Sequence, residues 1–558
     1  MTKFTYQEKA QQQHLEVQQE IESSLVNKQN FVVKAGAGAG KTKSLVDSLI
    51  FIREKYKRQF IPKRKKIAVI TYTNDAADEI TERIGEDNLF SISTIHSFAW
   101  DVLKSFKRDL ITAIRNLKNN DHITDVMYDM KDSTDEIYYL RHHEVLTLFH
   151  DFIKKDLFKD LIVKQYPVIL IDEYQDTQTN IINAFLDLSN YSKNITLGLF
   201  GDPMQRIYTS GDPQLEGKLK DYNFKQIYKE WNWRSSEEIV AFINRSRALQ
   251  TNPNKKVADY TSLDFKQKSV HGKNKRKPII KIIPDNLKVD INPEYKILIL
   301  EHRMVAIERG FSNLFDLFDD RENKDRFREG SIPELQSIEE QTMELYESTN
   351  KEHKSIKIMH YIKEYNELFS DKEFSYDEIK ERLDELSNIY ERALELLKNK
   401  DTSFKEYYKY VRDKKLFYID KEIDFEDEPW KQLEHIHISE YIEYLKYLDE
   451  SPFSTKHSSK GLEYENVCVV INQSKAKGNL LNFNQLFRIS ELSPTIKKNH
   501  NQEKDTILTR TSKLFYVAVS RAMEGLLIHL HVPSSKIKIA KMQMETLFED
   551  VARIKVID

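Results

Sequence analysis

Short apolar runs alternate along the chain with longer stretches of helical spacing. Phe31–Lys34 (FVVK), Ile67–Thr73 (IAVITYT), Val168–Ile171 (VILI) and Ile195–Phe200 (ITLGLF) are apolar without strict alternation. That is the pattern of strands buried on both faces of a parallel sheet. Lys296–Leu300 (KILIL), Val467–Ile471 (VCVVI) and Leu526–Leu530 (LLIHL) repeat it later in the chain. Two charged segments with few strand signals, 99–165 and 331–450, read as helical. In the second, Ile379, Leu383, Leu386, Ile389, Ala393 and Leu397 recur at helical spacing. Its aromatics, Tyr361, Tyr365, Phe369, Tyr407 and Tyr408, are expected to pack into a helical core. The pattern predicts an α/β fold with parallel sheets and mainly helical insertions. His271–Lys277 (HGKNKRK) reads as a solvated basic turn.

Composition narrows the class. The 558 residues carry 86 Lys+Arg against 89 Asp+Glu, a net charge of −3. Nothing global attracts nucleic acid, so any such binding needs a local basic lining and stacking aromatics. A single cysteine, Cys468, excludes a disulfide framework and a cysteine-based zinc site. The opening MTKFTYQEKAQQQ has no apolar signal core, and no run of about 18 apolar residues occurs. A cytoplasmic protein with no membrane partner is expected.

The first chemistry lies in residues 35–42, AGAGAGKT. A phosphate-cradling loop, G-x-x-x-x-G-K-[ST], has glycine where Ala35 stands. The context still fits: a buried strand, a glycine-rich turn, then a helix from about Lys41. Gly36, Gly38 and Gly40 let backbone N–H groups converge on phosphate oxygens, with Ala37 and Ala39 between them. Lys41 would neutralise β/γ charge, Thr42 would ligate Mg²⁺, and the helix dipole adds its positive end. Val168–Asp176 (VILIDEYQD) then places Asp172 and Glu173 at a strand's carboxyl end, where ligands of open α/β sheets bind. An acid there can hold Mg²⁺ and its neighbour can orient the attacking water.

From here the motifs form a series, and the chain resembles the superfamily 1 helicases of the UvrD/Rep type. That family's phosphate loop commonly begins A-G-A-G-x-G-K-T, which accounts for Ala35. The resemblance implies two RecA-like motor domains, 1–98 with 166–230 and 231–330 with 451–558. It also implies helical inserts at 99–165 and 331–450. TYTNDAADEITERI (71–84) is similar to the strand-contacting T-F-T-N-x-A-A motif, implying DNA contacts at Thr73 and Asn74. STIHSF (93–98) resembles T-F-H-S-F, with His96 facing DNA. GDPMQRIY (201–208) resembles G-D-x-x-Q-S-I-Y; Gln205 would sense the γ-phosphate, Tyr208 would stack on a base, and Arg206 replaces serine.

NWRS (232–235) matches N-Y-R-S, so Trp233 would cover the adenine and Arg234 would reach the γ-phosphate. TKHSSKGLE (455–463) resembles T-x-H-x-x-K-G-L-E, implying DNA contacts at Thr455 and His457 and a ribose or γ-phosphate contact at Glu463. YVAVSRA (516–522) matches Y-V-x-x-T-R-A with Ser520 for threonine, which makes Arg521 the arginine finger. Arg510–Lys513 (RTSK) lacks the acidic residues that often precede this motif. Gln18 or Gln19 falls near the family's adenine-reading glutamine. Lys41, Arg234 and Arg521 would surround a γ-phosphate whose transition state spreads negative charge.

The resemblance implies ATP and Mg²⁺ as cofactors. It implies a helicase or translocase moving 3′ to 5′ on single-stranded DNA or on a duplex with a single-stranded tail. Both inserts look shorter than those of full-size members, and no fused nuclease is expected after Arg521. Compact members of this kind occur in anti-phage systems such as Gabija, beside a separate nuclease, which makes such a nuclease the expected partner. The alternative is an ATPase switch that senses DNA ends and regulates that nuclease without processive unwinding. A P-loop ATPase acting on protein has no use for Tyr208, His96 or His457 in strand-facing motifs.

Overall fold

The apolar runs become the strands of a parallel sheet. In the computed structural model these are β1 (Phe31–Ala35), β2 (Ile67–Thr71) and β3 (Phe90–Thr94). After a small pair, β4 (Asp125–Tyr128) and β5 (Ile137–Leu140), come β6 (Val168–Asp172), β7 (Thr196–Gly201) and β8 (Lys225–Lys229). Their order is β3-β2-β6-β7-β1-β8, and the pairings are parallel throughout, Phe31 lying opposite Gly198 and Lys225. The structure describes residues 5–128, 134, 136–206, 210–249, 266–272, 276–287, 289–300, 302–319, 323, 326–327, 330–348, 376–417, 419, 421–449, 453–454, 462–474, 481–501 and 506–557.

Because side chains alternate across a strand, the sheet has two different cores. Phe31, Val33, Val69 and Leu170 face the helices Tyr6–Val26 and Lys41–Phe60 through Val17, Ile21, Leu45 and Leu49. Val32, Ile70, Ile169 and Leu199 face the other way, into a core shared with Phe98, Phe149, Phe158 and Phe185. The segment 99–165 is therefore packed on one face of this sheet. The helical reading of that segment holds for four helices and misses β4 and β5. The edge strands β3 (FSIST) and β8 (KQIYK) also escaped the reading of apolar runs. An edge strand has a partner on one side only, so polar residues can keep water on the other.

By compactness the chain divides into two units, Met1–Val289 with Lys460–Cys468 and Asn479–Asp558, and Asp290–Ser459 with Val469–Gly478. The first unit holds the sheet above. It continues through the two-residue strands β9 (Trp231–Asn232) and β10 (Lys268–Ser269) to β11 (Ile279–Pro284). The second unit contains β12 (Lys296–Ile299) and β13 (Phe453–Ser454), which pair in parallel. After β14 (Tyr464–Asn472), which crosses the division, come β15 (Ala522–Val532) and β16 (Arg553–Val556). In the first unit β11 lies between β15 and β16, parallel to both. The expected α/β class with parallel sheets is the observed one.

The second unit is mainly helical. Leu386, Ile389, Ala393 and Leu397 of the helix Tyr376–Lys398 are buried in one core with Tyr407 and Tyr408, as the spacing predicts. Tyr361, Tyr365 and Phe369 lie outside the described residues. Among the described residues no helix is long and apolar enough to cross a membrane.

Candidate nucleotide site and strand-facing edge

The carboxyl ends of β1, β6 and β7 lie side by side, and the loops leaving them carry the site. After β1, Gly38 and Gly40 take the left-handed conformation (φ 72° and 73°) that turns the loop into the helix starting at Lys41. A side chain is disfavoured there by backbone strain. At Gly38 a Cβ would also come 2.7 Å from Arg234 Cβ and 2.8 Å from Asn232 Oδ1. Ala35, Gly36, Ala37 and Ala39 are buried around this turn.

Lys41 Nζ donates to Glu173 Oε1 at 2.9 Å. Glu173 follows β6 with its backbone in the left-handed region (φ 49°), unusual for a residue with a side chain. Its other oxygen accepts from Gln175 Nε2 at 2.5 Å, and Gln175 Oε1 accepts from the Asp202 N–H at 3.2 Å after β7. The carboxylate of Glu173 is thus aimed at the lysine of the phosphate loop. Asp172 is buried at the end of β6, and Thr42 is half-buried in the first turn of the helix.

Gln205 is buried beyond Asp202, and its Oε1 accepts from Arg521 Nη2 at 3.2 Å. Arg521 is 2% exposed and also donates to the carbonyls of Val517 (3.0 Å) and Leu462 (3.2 Å). Burial, assisted by the like charge of Arg234, pulls its guanidinium down to about 10, so it stays charged at neutral pH. Arg234 donates through Nε to Glu463 Oε2 at 2.5 Å and through Nη1 to the Ser520 carbonyl at 3.3 Å. Trp233 is exposed, with its N–H on the Gly38 carbonyl at 2.8 Å.

These contacts bring together Lys41, Glu173, Gln205, Arg234, Glu463 and Arg521, with Trp233 at the loop's open side. Gln18 sits further back, donating to Ser48 Oγ at 3.4 Å, while its Oε1 is buried without a partner among the described residues. The set fits a triphosphate with Mg²⁺: a glycine turn, three cations with two carboxylates, and the Thr42 hydroxyl and Asp172 carboxylate at the same carboxyl edge of the sheet. Among the described residues no group of three His, Cys, Asp or Glu could hold a metal by itself. Mg²⁺ takes few protein ligands and shares the substrate's phosphates.

Beside this loop, Thr73, Asn74 and His96, the residues expected to face a strand, share the carboxyl edge of the sheet. Thr73 caps the helix Asn74–Ile84 by accepting from the Ala76 N–H at 3.3 Å, which leaves Asn74 exposed in its first turn. Thr94 caps the next helix in the same way and sets His96, half-exposed, in that helix's first turn. A small cavity of about 50 Å³ runs among Thr71, Tyr72, His96, Asp172 and Gln178. Arg206, the residue in the serine position, turns inward and donates to the Gly211 carbonyl at 3.0 Å. Tyr208, Thr455 and His457 lie outside the described residues, as do residues 273–275 of the basic turn.

Three residues of the site belong to no motif and escaped the sequence reading. Gln267 Nε2 donates to the Ala37 carbonyl at 2.9 Å. Arg247 donates to Asp202 Oδ1 at 3.2 Å in full burial. Lys229, at the end of β8, donates to the Gly40 carbonyl (3.1 Å) and to Ser44 Oγ (2.7 Å) beneath the phosphate loop. A lone polar residue near a strand end gives no signal until the fold supplies its partner.

Lys229 carries a pH prediction. Burial pulls its ammonium from the ordinary 10.5 down to about 8, with Asp47 opposing and Lys43 assisting. The folded chain therefore loses this proton before the unfolded chain does, and stability rises as pH climbs from about 8 to 10.5. The full effect is on the order of 3 kcal/mol. Denaturant unfolding of the wild type and of Lys229→Met across that range should show the wild type gaining on the variant. A difference that does not change with pH would count against a buried ammonium at this position.

The AAA domain family matches residues 18–211. The Gabija protein GajB of Bacillus cereus (strain HuB5-5) is 22% identical over 654 residues, covering 91% of this chain and 93% of that protein. The ATP-dependent DNA helicase Rep of Buchnera aphidicola subsp. Schizaphis graminum (strain Sg) is 26% identical over 317 residues, 45% of this chain and 47% of Rep. The RecBCD enzyme subunit RecB of Buchnera aphidicola subsp. Acyrthosiphon pisum (strain APS) is 36% identical over 118 residues. The chain thus spans nearly all of GajB, about half of Rep and a tenth of RecB. Among solved structures, the Pif1 helicase from Candida albicans is similar over 55% of this chain and 54% of that one, at 14% identity and a TM-score of 0.27.

Proposed function

Since the chain is a superfamily 1 helicase of the UvrD/Rep type, we propose that it hydrolyses ATP to move 3′ to 5′ on single-stranded DNA and opens duplexes with a single-stranded tail. One observation carries the ATPase part: Lys41, Glu173, Gln205, Arg234 and Arg521 converge on the turn at Gly38. Lys41 binds the β/γ-phosphates and Glu173 orients the attacking water. Gln205 reads the γ-phosphate, and Arg234 and Arg521 face the charge that develops on it. Trp233 covers the base, while Glu463 and Gln18 lie at the ribose and adenine side. Mg²⁺, when bound by Thr42 and Asp172, neutralises phosphate charge. Thr73, Asn74 and His96, with Tyr208, Thr455 and His457, form the strand track. The division into motor domains at 1–98 with 166–230 and 231–330 with 451–558, with inserts between, belongs to the same proposal.

The inward turn of Arg206 favours a second reading. In that reading the chain is a DNA-end-sensing ATPase switch that regulates a separate nuclease. Strand displacement, run beside ATPase assays with and without oligothymidine, separates the two. The proposal expects stimulated hydrolysis together with product strand, and no product strand from a blunt duplex. Stimulation without displacement would replace the motor by the switch. No stimulation at all would sink both.

A further inference from the structure

Ala37, in the middle of the phosphate loop, is held by residues from three distant parts of the chain. Its carbonyl accepts from Asn232 Nδ2 and from Gln267 Nε2, both at 2.9 Å. Its N–H donates to the hydroxyl of Tyr516 at 3.3 Å. That hydroxyl in turn donates to Asp202 Oδ2 at 2.7 Å. Asp202 is wholly buried, and its carboxylate also accepts from the Met204 N–H (3.0 Å), Gln205 Nε2 (3.3 Å) and Arg247 Nη1 (3.2 Å). Arg247 Nη1 lies 3.4 Å from the Tyr516 hydroxyl as well, and the guanidinium stands 5.7 Å from the ring centre.

The chemistry of this cluster is one of fixed geometry. A buried carboxylate needs a counter-charge, which Arg247 supplies. Asp202 Oδ2 takes the Tyr516 proton beside the Gln205 side-chain amide, so the hydroxyl's lone pairs are left to accept, and one of them meets the Ala37 N–H. Burial and the nearby Asp202 carboxylate push the phenol's pKa further up, so it remains a donor at all working pH values. Tyr516 lies in the last turn of the helix Ile507–Val519, and Arg521 follows just beyond the Ser520 cap. The short segment 516–521 therefore holds the phosphate loop through Tyr516 and reaches Gln205 through Arg521.

We propose that Tyr516 is a positioning residue for the phosphate loop, acting through the Ala37 N–H and itself fixed by Asp202 and Arg247. The proposal rests on the reading of this loop as the ATP site. Its effect falls on ground-state binding, because Arg521 keeps its own bonds to Val517 and Leu462 without the hydroxyl. Losing one hydrogen bond while Asn232 and Gln267 still hold the carbonyl should weaken ATP binding about ten-fold.

The test is Tyr516→Phe, which keeps the buried ring and removes only the hydroxyl. The Kd of a fluorescent ATP analogue and the KM for ATP should both rise about ten-fold, with kcat changed less than three-fold and the Tm within a few degrees of wild type. Arg247→Lys should retain more ATP affinity than Arg247→Met, and Arg247→Met should add little to Tyr516→Phe. Unchanged Kd and KM in Tyr516→Phe would overturn the proposal, as would a loss confined to kcat. A wild-type chain that does not bind the analogue would instead refute the ATP site itself. If Arg247→Met does not fold, the Tyr516→Phe measurement still decides.

Discussion

Arg521→Ala is expected to bind ATP close to the wild-type affinity and to lose about 10³-fold or more in turnover. The guanidinium is buried and donates to two backbone carbonyls and to Gln205. Among the described residues no acidic side chain pairs with it directly; the carboxylates of Glu173 and Glu463 act on it through space. A cation kept dry and held by carbonyl dipoles has its charge unspent until negative charge grows beside it. That happens on the γ-phosphoryl oxygens in the transition state, where a preorganised donor in low dielectric is worth most. Arg521→Lys keeps a charge but loses the fork that reaches Gln205, and should recover only part of the rate. Single-turnover hydrolysis with the protein in saturating excess over ATP gives the chemical step, and analogue titration gives the binding. Hydrolysis of the alanine variant at the wild-type rate would remove Arg521 from the finger role.

The difference between what was readable and what was not follows from where information sits in a chain. Interior strands such as β1, β6 and β7 must be apolar on both faces, so FVVK, VILI and ITLGLF announce themselves. The edge strands β3 and β8 face that demand on one side only and were missed. Residues whose backbone and side chain serve one local motif, such as Lys41 in GKT or Arg521 in SRA, are legible because their neighbours are fixed too. Gln267, Arg247 and Lys229 each meet the site across a long stretch of chain. Their roles depend on partners that only the fold brings near. Arg206 is the opposite case. The sequence flagged it as the substituted position, and its inward bond to Gly211 gives the substitution a physical use.

Glu173→Gln should separate ATP binding from ATP cleavage more completely than any other single change. Glu173 holds Lys41 at 2.9 Å, so phosphate and the carboxylate compete for that ammonium. The pair is about four-fifths shielded from solvent or better on both sides, so breaking it is not free. Glutamine lacks the charge and releases the lysine, and the variant should bind ATP as tightly as wild type or several-fold tighter. At the same time it loses the group that orients water and accepts its proton, and turnover should fall by about 10³-fold or more, as for other removals of a charged partner of the γ-phosphoryl. The left-handed backbone at Glu173 does not depend on the side-chain charge, so the loop should keep its shape. Gln175 still has its bond to the Asp202 N–H to hold it. Rapid mixing with labelled ATP, followed by filter retention, should find nucleotide retained intact in the variant and released as ADP by the wild type. Normal turnover in Glu173→Gln would return the water-orienting role to another group. Weaker binding would mean that the Lys41–Glu173 pair preorganises the loop rather than competing with phosphate.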